Sequence, residues 1–271
     1  MSVYRSFMFP CQGKHYLPSS VAKRFMGIQV HWLEEEMDLE KSTILVAFPG
    51  VGDVGKLAID AINHSLQAVK VARIMHSSLP PIAKLDEDGL LVPPHLSLSY
   101  IELDEKSIFT LTGDAQPSTP DGQYEMAQWL LSNAHGSEII SFAGMAAKAE
   151  VKEVFAICSD VNYRIDLEQM GVDVRRTEPK SGVIGMAAML TSLSPMFEVS
   201  GSCLIATTIG TSLDPMASER LLNHLIAWWS MPQSIVLNAK ERLMEKLESM
   251  KNDDSVDLVG ELLAPDDLLY M

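Results

Sequence analysis

The sequence predicts an α/β domain with a largely parallel or mixed sheet, and two observations carry that prediction. Between about residues 43 and 208, short runs rich in Val and Ile alternate with longer segments of helical period, the pattern of strands and helices layered on one another. Several of those runs are apolar throughout, as suits strands covered on both faces. The first strand spans 43–48 (TILVAF) and leads through a glycine-rich turn into a helix over 54–66. Strands follow at 69–75 (VKVARIM), 96–103 and 107–111, then a helix over 120–133 with Pro120 at its first position behind a Ser118 or Thr119 cap. Further strands are expected at 138–142, 154–158 and 202–208, with helices over 165–170, 183–193 and 215–229. Small residues in SGVIGMAAMLTSL allow close packing where the 183–193 helix begins.

Past Pro232 the pattern changes to one charged amphipathic helix, with Val236, Ala239, Leu243, Leu247 and Met250 recurring at spacings of three and four. The last 21 residues, KNDDSVDLVGELLAPDDLLYM, set one Lys against six Asp/Glu and read as a mobile acidic tail. The tail nevertheless ends on an apolar cluster, Leu268-Leu269-Tyr270-Met271, which solvation alone does not require. The chain thus divides into an extension packed on the domain (1–40), an α/β domain (41–231), an amphipathic helix (232–250) and a tail (251–271).

Composition narrows the function. With 21 Lys+Arg against 36 Asp+Glu, the 271-residue chain carries a formal charge of −15, at 47% hydrophobic and 21% charged residues. Nucleic acid is excluded as a partner, because a polyanion binder needs clustered Lys and Arg to release counterions. Anionic membrane surfaces are disfavoured for the same reason. The N-terminal MSVYRSFMFPCQGKHY lacks the basic segment and the continuous apolar core of about 7–15 residues that mark a signal peptide. The three cysteines, Cys11, Cys158 and Cys203, are odd in number and far apart, and they are expected to be reduced, buried thiols of a cytoplasmic protein.

Two segments are candidates for chemistry. In FPGVGDVGKLAIDAI a strand runs into Gly50-x-Gly52-x-x-Gly55 and then a helix, a geometry in which the backbone approaches a pyrophosphate. The acidic residue expected about 20 positions on is missing, since the second strand offers Lys70, Arg73 and His76 instead. The same stretch matches G-x-x-x-x-G-K from Gly50 to Lys56, with Leu57 in place of the magnesium-binding hydroxyl. The other reading of these glycines is close strand-helix packing. A second turn-rich segment supplies Thr112, Gly113, Asp114 and Gln116 at the end of a strand, where open α/β sheets place ligands. No G-x-S-x-G elbow is present, and the seven dispersed histidines include no H-x-x-x-H pair. No metal site, cofactor or catalytic constellation is therefore expected.

Four motifs in order, FPGVGDVGKLAID (48–60), LTGDAQPSTPDGQYEMA (111–127), SGVIGMAAML (181–190) and TSLDPMASERLL (211–222), give the chain a clear family likeness. It resembles the proteasome assembly chaperone family, whose archaeal and bacterial members were often labelled ATP-grasp-like. The likeness covers about residues 43–229. It implies a three-layer α/β fold similar to nucleoside phosphorylases and peptidyl-tRNA hydrolases, no established catalytic site, and a homo-oligomer that binds the 20S proteasome core.

The ending Leu269-Tyr270-Met271 resembles the hydrophobic-Tyr-any residue motif that proteasome activators insert between 20S α-ring subunits. A mobile tail would present an apolar anchor, a phenol and a terminal carboxylate to a pocket. The expectation is a non-enzymatic assembly chaperone or ATP-independent activator. The alternative is a nucleotide- or phosphate-binding enzyme, ligase-like or phosphorylase-like, whose cleft joins Gly50, Gly52, Gly55 and Lys56 to Thr112, Gly113, Asp114 and Gln116. A purely structural oligomer is the third reading.

Overall fold

The computed structural model describes residues 27–85, 88–103, 106–210 and 213–237. Among these, the strands are β1 (Gln29–Trp32), β2 (Thr43–Ala47), β3 (Val69–Met75), β4 (Lys84–Leu85), β5 (Leu91–Val92), β6 (Leu96–Leu103), β7 (Lys106–Gly113), β8 (Glu138–Ala146), β9 (Val154–Cys158) and β10 (Ser200–Thr208). The helices are α1 (Val54–Ser65), α2 (Pro120–Ser132), α3 (Val161–Gln169), α4 (Gly185–Leu193) and α5 (Pro215–Trp229). Eight strands form one mixed sheet in the order β1-β3-β6-β7-β2-β8-β10-β9, and β4 pairs with β5 in a separate hairpin. The centre, β7-β2-β8-β10, is parallel, and antiparallel strands extend both edges.

Side-chain alternation along each central strand decides which layer it meets. Leu45 and Ala47 of β2, Ile140 and Phe142 of β8, and Leu204 and Ala206 of β10 pack under α1, α3 and α5. Ile44, Val46, Phe109, Leu111 and Ile139 pack on the other face under α2 and α4. Strands apolar on both sides are thereby explained: each face has its own helical cover.

The expected strands at 69–75, 96–103 and 154–158 and the helix over 215–229 form with the same bounds. Helix α3 starts four residues earlier than expected, because the Asp160 carboxylate accepts the Tyr163 N–H (2.8 Å) and caps it. Helix α4 starts at Gly185, where the Gln116 side-chain oxygen accepts the Met186 N–H (3.0 Å). Strand β8 continues past Phe142 to Ala146 because β10 pairs with it in parallel over its whole length. Strand β1 and the β4-β5 hairpin were not expected. β1 adds an antiparallel edge to β3.

Residues 232–237 form a turn and an irregular run, not the start of a helix, because Ile235 and Leu237 are drawn into the cluster beneath α1 and α5. The rest of the expected 232–250 helix and the 251–271 tail lie outside the described residues. Cys203 is buried and burial pushes its thiol up to about 12. Cys158, expected to be buried, is only half so, because it ends edge strand β9. Cys11 lies outside the described residues.

One polar knot joins three elements at the base of β8. The Glu138 carboxylate oxygen Oε1 accepts the Tyr163 hydroxyl of α3 (2.6 Å) and the Trp229 indole N–H of α5 (2.9 Å). Burial and the neighbouring carboxylate hold the Tyr163 phenol well above its ordinary pKa, so it stays a donor. Tyr163→Phe removes one donor from a carboxylate and should destabilise the fold by about 1–3 kcal/mol. Urea unfolding should show this as a lower midpoint with an unchanged slope.

Candidate functional site

Strand β2 leaves the sheet at Phe48 and the chain makes a single 3-10 turn, Val51–Asp53, before α1. The turn is closed from within. The Gly50 N–H donates to Asp53 Oδ1 (3.1 Å) and the Asp53 N–H donates to the Gly50 carbonyl (2.9 Å). A carboxylate therefore already sits at the positive end of α1, where a phosphate would otherwise find its complement. Gly52, at φ +66°, lies beneath Thr208, and its carbonyl accepts the Asp214 N–H (2.9 Å). A methyl group added at Gly55 would stand 2.7 Å from the Phe142 carbonyl oxygen, and one at Gly144 would overlap the Val51 carbonyl oxygen. These glycines let the turn and α1 lie directly on the ends of β8 and β10.

Lys56, one residue into α1 past the motif, turns away from the loop. Its ammonium bonds both oxygens of Asp60 at 2.6 Å. In the second segment, Asp114 pairs with Lys84 (3.0 Å) at an exposed position and Gln116 caps α4. Thr119 is the N-cap of α2, accepting the Gly122 N–H (3.1 Å), with Pro120 first in the helix.

The single cleft expected from these residues is divided into two cavities. Lys56, Thr112, Gly113 and Asp114 line one of about 530 Å³. Gly50, Gly55 and Gln116 line another of about 450 Å³, and Gly52 lines neither. The division follows from direction: Lys56 points from α1 towards β3 and β6, whereas Gln116 is drawn across the sheet end to α4. Both volumes are of ligand size. The second cavity is mainly apolar, walled by Val46, Phe48, Phe142, Met145, Ile184 and Ile205. The first has a polar floor formed by the outward faces of three antiparallel strands.

That floor was missed in the sequence. Lys70 and Arg73 of β3, Ser97 and Ser99 of β6, and Thr112 of β7 all line the first cavity. The available trace of it was the alternation LSLS and TLT, which places the hydroxyls on one face. His95 also lines it, held below its ordinary pKa first by burial and further by the Lys70 and Arg73 charges, against a raising effect from its bond to the Pro93 carbonyl.

Elsewhere, His76 lies between Ser78 (2.6 Å) and Glu125 (2.8 Å). Since the Ser78 N–H also points at Nδ1 (3.1 Å), that nitrogen accepts and Nε2 carries the proton towards Glu125. The Ser78 hydroxyl is pressed against Gly122, so the trio ties the end of β3 to α2. Among the described residues, no cluster of three His, Cys, Asp or Glu is placed to hold a metal, and no helix is long and apolar enough to cross a membrane. Leu269, Tyr270 and Met271 lie outside the described residues.

The fold and these cavities define a mixed-sheet α/β sandwich whose glycines at the sheet end serve packing. The sequence matches the PAC2 family over residues 44–251, and the chain belongs to that family. A protein of Methanocaldococcus jannaschii without an assigned role is 22% identical over 188 residues, 68% of this chain and 72% of that one. Among solved structures, Pyrococcus furiosus PbaB, an archaeal proteasome activator, superposes with a TM-score of 0.70 at 19% identity, covering 83% of this chain and 98% of that one. P. furiosus PbaA, an archaeal homolog of proteasome-assembly chaperone, gives 0.68 at 22% identity, covering 84% and 92%. A Mycobacterium tuberculosis proteasome-assembly chaperone homologue gives 0.57 at 15% identity, covering 79% and 96%. At such identities the likeness is one of fold.

The packing role of the glycines makes opposite predictions for two of them. Gly144→Ala should cost about 1–3 kcal/mol, because backbone must move. Gly50 has extended backbone at φ −170° and its nearest neighbour for a methyl is the Phe48 carbonyl oxygen at 3.9 Å. Gly50→Ala should therefore change stability by no more than about 0.5 kcal/mol. Thermal unfolding of the two variants checks both.

Proposed function

We propose that this chain is a non-enzymatic proteasome-binding protein, an assembly chaperone or an ATP-independent activator, that docks its last three residues into pockets between 20S α-subunits. The observation that carries the reading is the ending Leu269-Tyr270-Met271 on a chain of the PAC2 family. The structural likeness to PbaB and PbaA, named respectively as a proteasome activator and a homolog of an assembly chaperone, supports it. Leu269 supplies the apolar anchor, Tyr270 a ring that buries while its hydroxyl stays bonded, and Met271 the carboxylate that meets a basic group. Asp253, Asp254, Asp257, Asp266 and Asp267 would keep this segment solvated until it docks.

Ordering one tail costs free energy, so a single copy binds weakly. A homo-oligomer presenting several tails to one α-ring raises their effective concentration and gives useful avidity. The protein would act in the cytoplasm, with its thiols reduced. Kinship of this sandwich with nucleoside phosphorylases and peptidyl-tRNA hydrolases, and the older ATP-grasp-like label, rest on the family resemblance alone. The rival enzymatic reading through Gly50–Lys56 is weakened by the Asp53 carboxylate that closes that loop and by the engagement of Lys56 with Asp60.

Binding to an immobilised 20S particle tests the proposal. Tyr270→Ala, and a chain ending at Leu268, should each bind at least about 30-fold more weakly, the scale of losing a buried aromatic anchor. Their melting temperatures should equal that of the full chain. Unchanged binding by either variant contradicts the proposal. Hydrolysis of a fluorogenic peptide by the same particle separates the two roles: tail-dependent stimulation marks an activator, and tail-dependent binding without stimulation marks a chaperone.

A further inference from the structure

The sheet face outside the parallel centre has an unusual surface for a buried place. On β6 and β7, Leu96, Leu98, Phe109 and Leu111 point into the core beneath α2. The alternate positions, Ser97, Ser99, Thr110 and Thr112, point to the other side. The strand register then aligns two polar rows: Arg73 opposite Ser97 opposite Thr112, and Lys70 opposite Ser99 opposite Thr110. With strands about 4.8 Å apart, each row spans roughly 10 Å. The second row ends on Asn63 of α1, whose side-chain oxygen accepts the Thr110 hydroxyl (2.7 Å).

We propose that this cavity is a binding site for a small molecule carrying a phosphate group, held by Arg73, Lys70, Ser97 and Thr112. The charge pattern is the first argument. Four cations line the cavity, and two are already matched, Lys56 by Asp60 and Lys84 by Asp114. Lys70 and Arg73, adjacent on β3, have no ion-pair partner among the described residues. Two unmatched cations on one wall of a half-open cavity, in a chain of formal charge −15, repel each other at a cost that an anion between them removes.

Unmet hydrogen bonds are the second argument, and they are independent of charge. The Arg73 Nε and the Thr112 Oγ1 are both shielded from solvent and have no partner, while Thr112 as a residue is 7% exposed. Buried polar groups nearly always have partners, and these two belong to one cross-strand row opening into one cavity. A guanidinium edge, an ammonium and two hydroxyls suit a tetrahedral oxyanion, which accepts several bonds from different directions. His95, held below its ordinary pKa first by burial, is lowered further by the Lys70 and Arg73 charges. The remaining walls, Leu79, Pro80, Ile82, Val92 and Pro93, offer apolar surface to an organic body attached to the phosphate. The volume of about 530 Å³ exceeds what a free phosphate fills.

Thermal unfolding and calorimetric titration of the full chain test this, with potassium phosphate and adenosine 5′-monophosphate as probes and potassium chloride at matched ionic strength as the control. A ligand that binds only the folded state raises the melting temperature. Phosphate, the monophosphate, or both should raise it where chloride does not; a response to both shows that the phosphate group suffices, and a response to the monophosphate alone shows that the organic body is required. Lys70→Gln, at an exposed position that folding does not depend on, should weaken the responding probe at least about tenfold, and Arg73→Gln should do the same. Thr112→Val, which keeps the side-chain shape, should weaken it about threefold or more. No response to either probe at 10 mM (about ten times a millimolar Kd), or a response that Lys70→Gln and Thr112→Val leave unchanged, overturns the proposal.

Discussion

The contact on which the structure depends is backbone against backbone, where the turn after β2 crosses the ends of β8 and β10. Gly55 lies on the Phe142 carbonyl and Gly144 on the Val51 carbonyl, and Gly52 lies under Thr208 while accepting the Asp214 N–H. Helix α1 thereby sits close enough to share a core with α5, and Asp214, as the N-cap of α5, is fixed to the same turn. Nothing with a side chain fits at these crossings, so the spacing of the layers is set by three glycines. Within the loop, Asp53 turns back so that its carboxylate accepts the Gly50 N–H.

Two different kinds of surface result. At the parallel end of the sheet, the cavity between β2, β8 and the segment before α4 is apolar. Over the antiparallel wing, the cavity beside the β4-β5 hairpin has a polar, cationic floor beneath apolar walls. On that wing β6 and β7 run antiparallel to each other, and the alternation that would ordinarily mark a solvated face forms the floor of a half-open cavity. The proposed docking by the acidic tail and the proposed ligand site on the wing draw on separate parts of the chain and separate chemistry.

The central strands and their helices were legible because their sequences state their burial: TILVA and the CLIA run of β10 are apolar on both sides, which only a two-sided cover explains. Strand β1 (QVHW) and the two-residue strands β4 and β5 were not, since each owes its pairing to a neighbour and not to its own residues. The glycine motif was legible as a strand-helix turn, and its two readings were separated only by Asp53 and by the direction of Lys56. Lys70 and Arg73 were visible as residues that spoiled a dinucleotide motif. Their alignment with Ser97 and Thr112 was not visible, because cross-strand register is a tertiary fact. For the tail the position is reversed, and its reading rests on sequence.

The central claim, that the terminal residues are the docking element and that the free carboxylate takes part, is tested most directly by competition. A synthetic heptapeptide of residues 265–271, PDDLLYM, is titrated against the full chain bound to 20S particles, alongside the same peptide ending in an amide. The free-acid peptide should displace the chain at about millimolar concentration, as expected of one short tail competing with an oligomer. The amidated peptide should displace it far less. No displacement by the free acid, or equal displacement by both, would contradict the account.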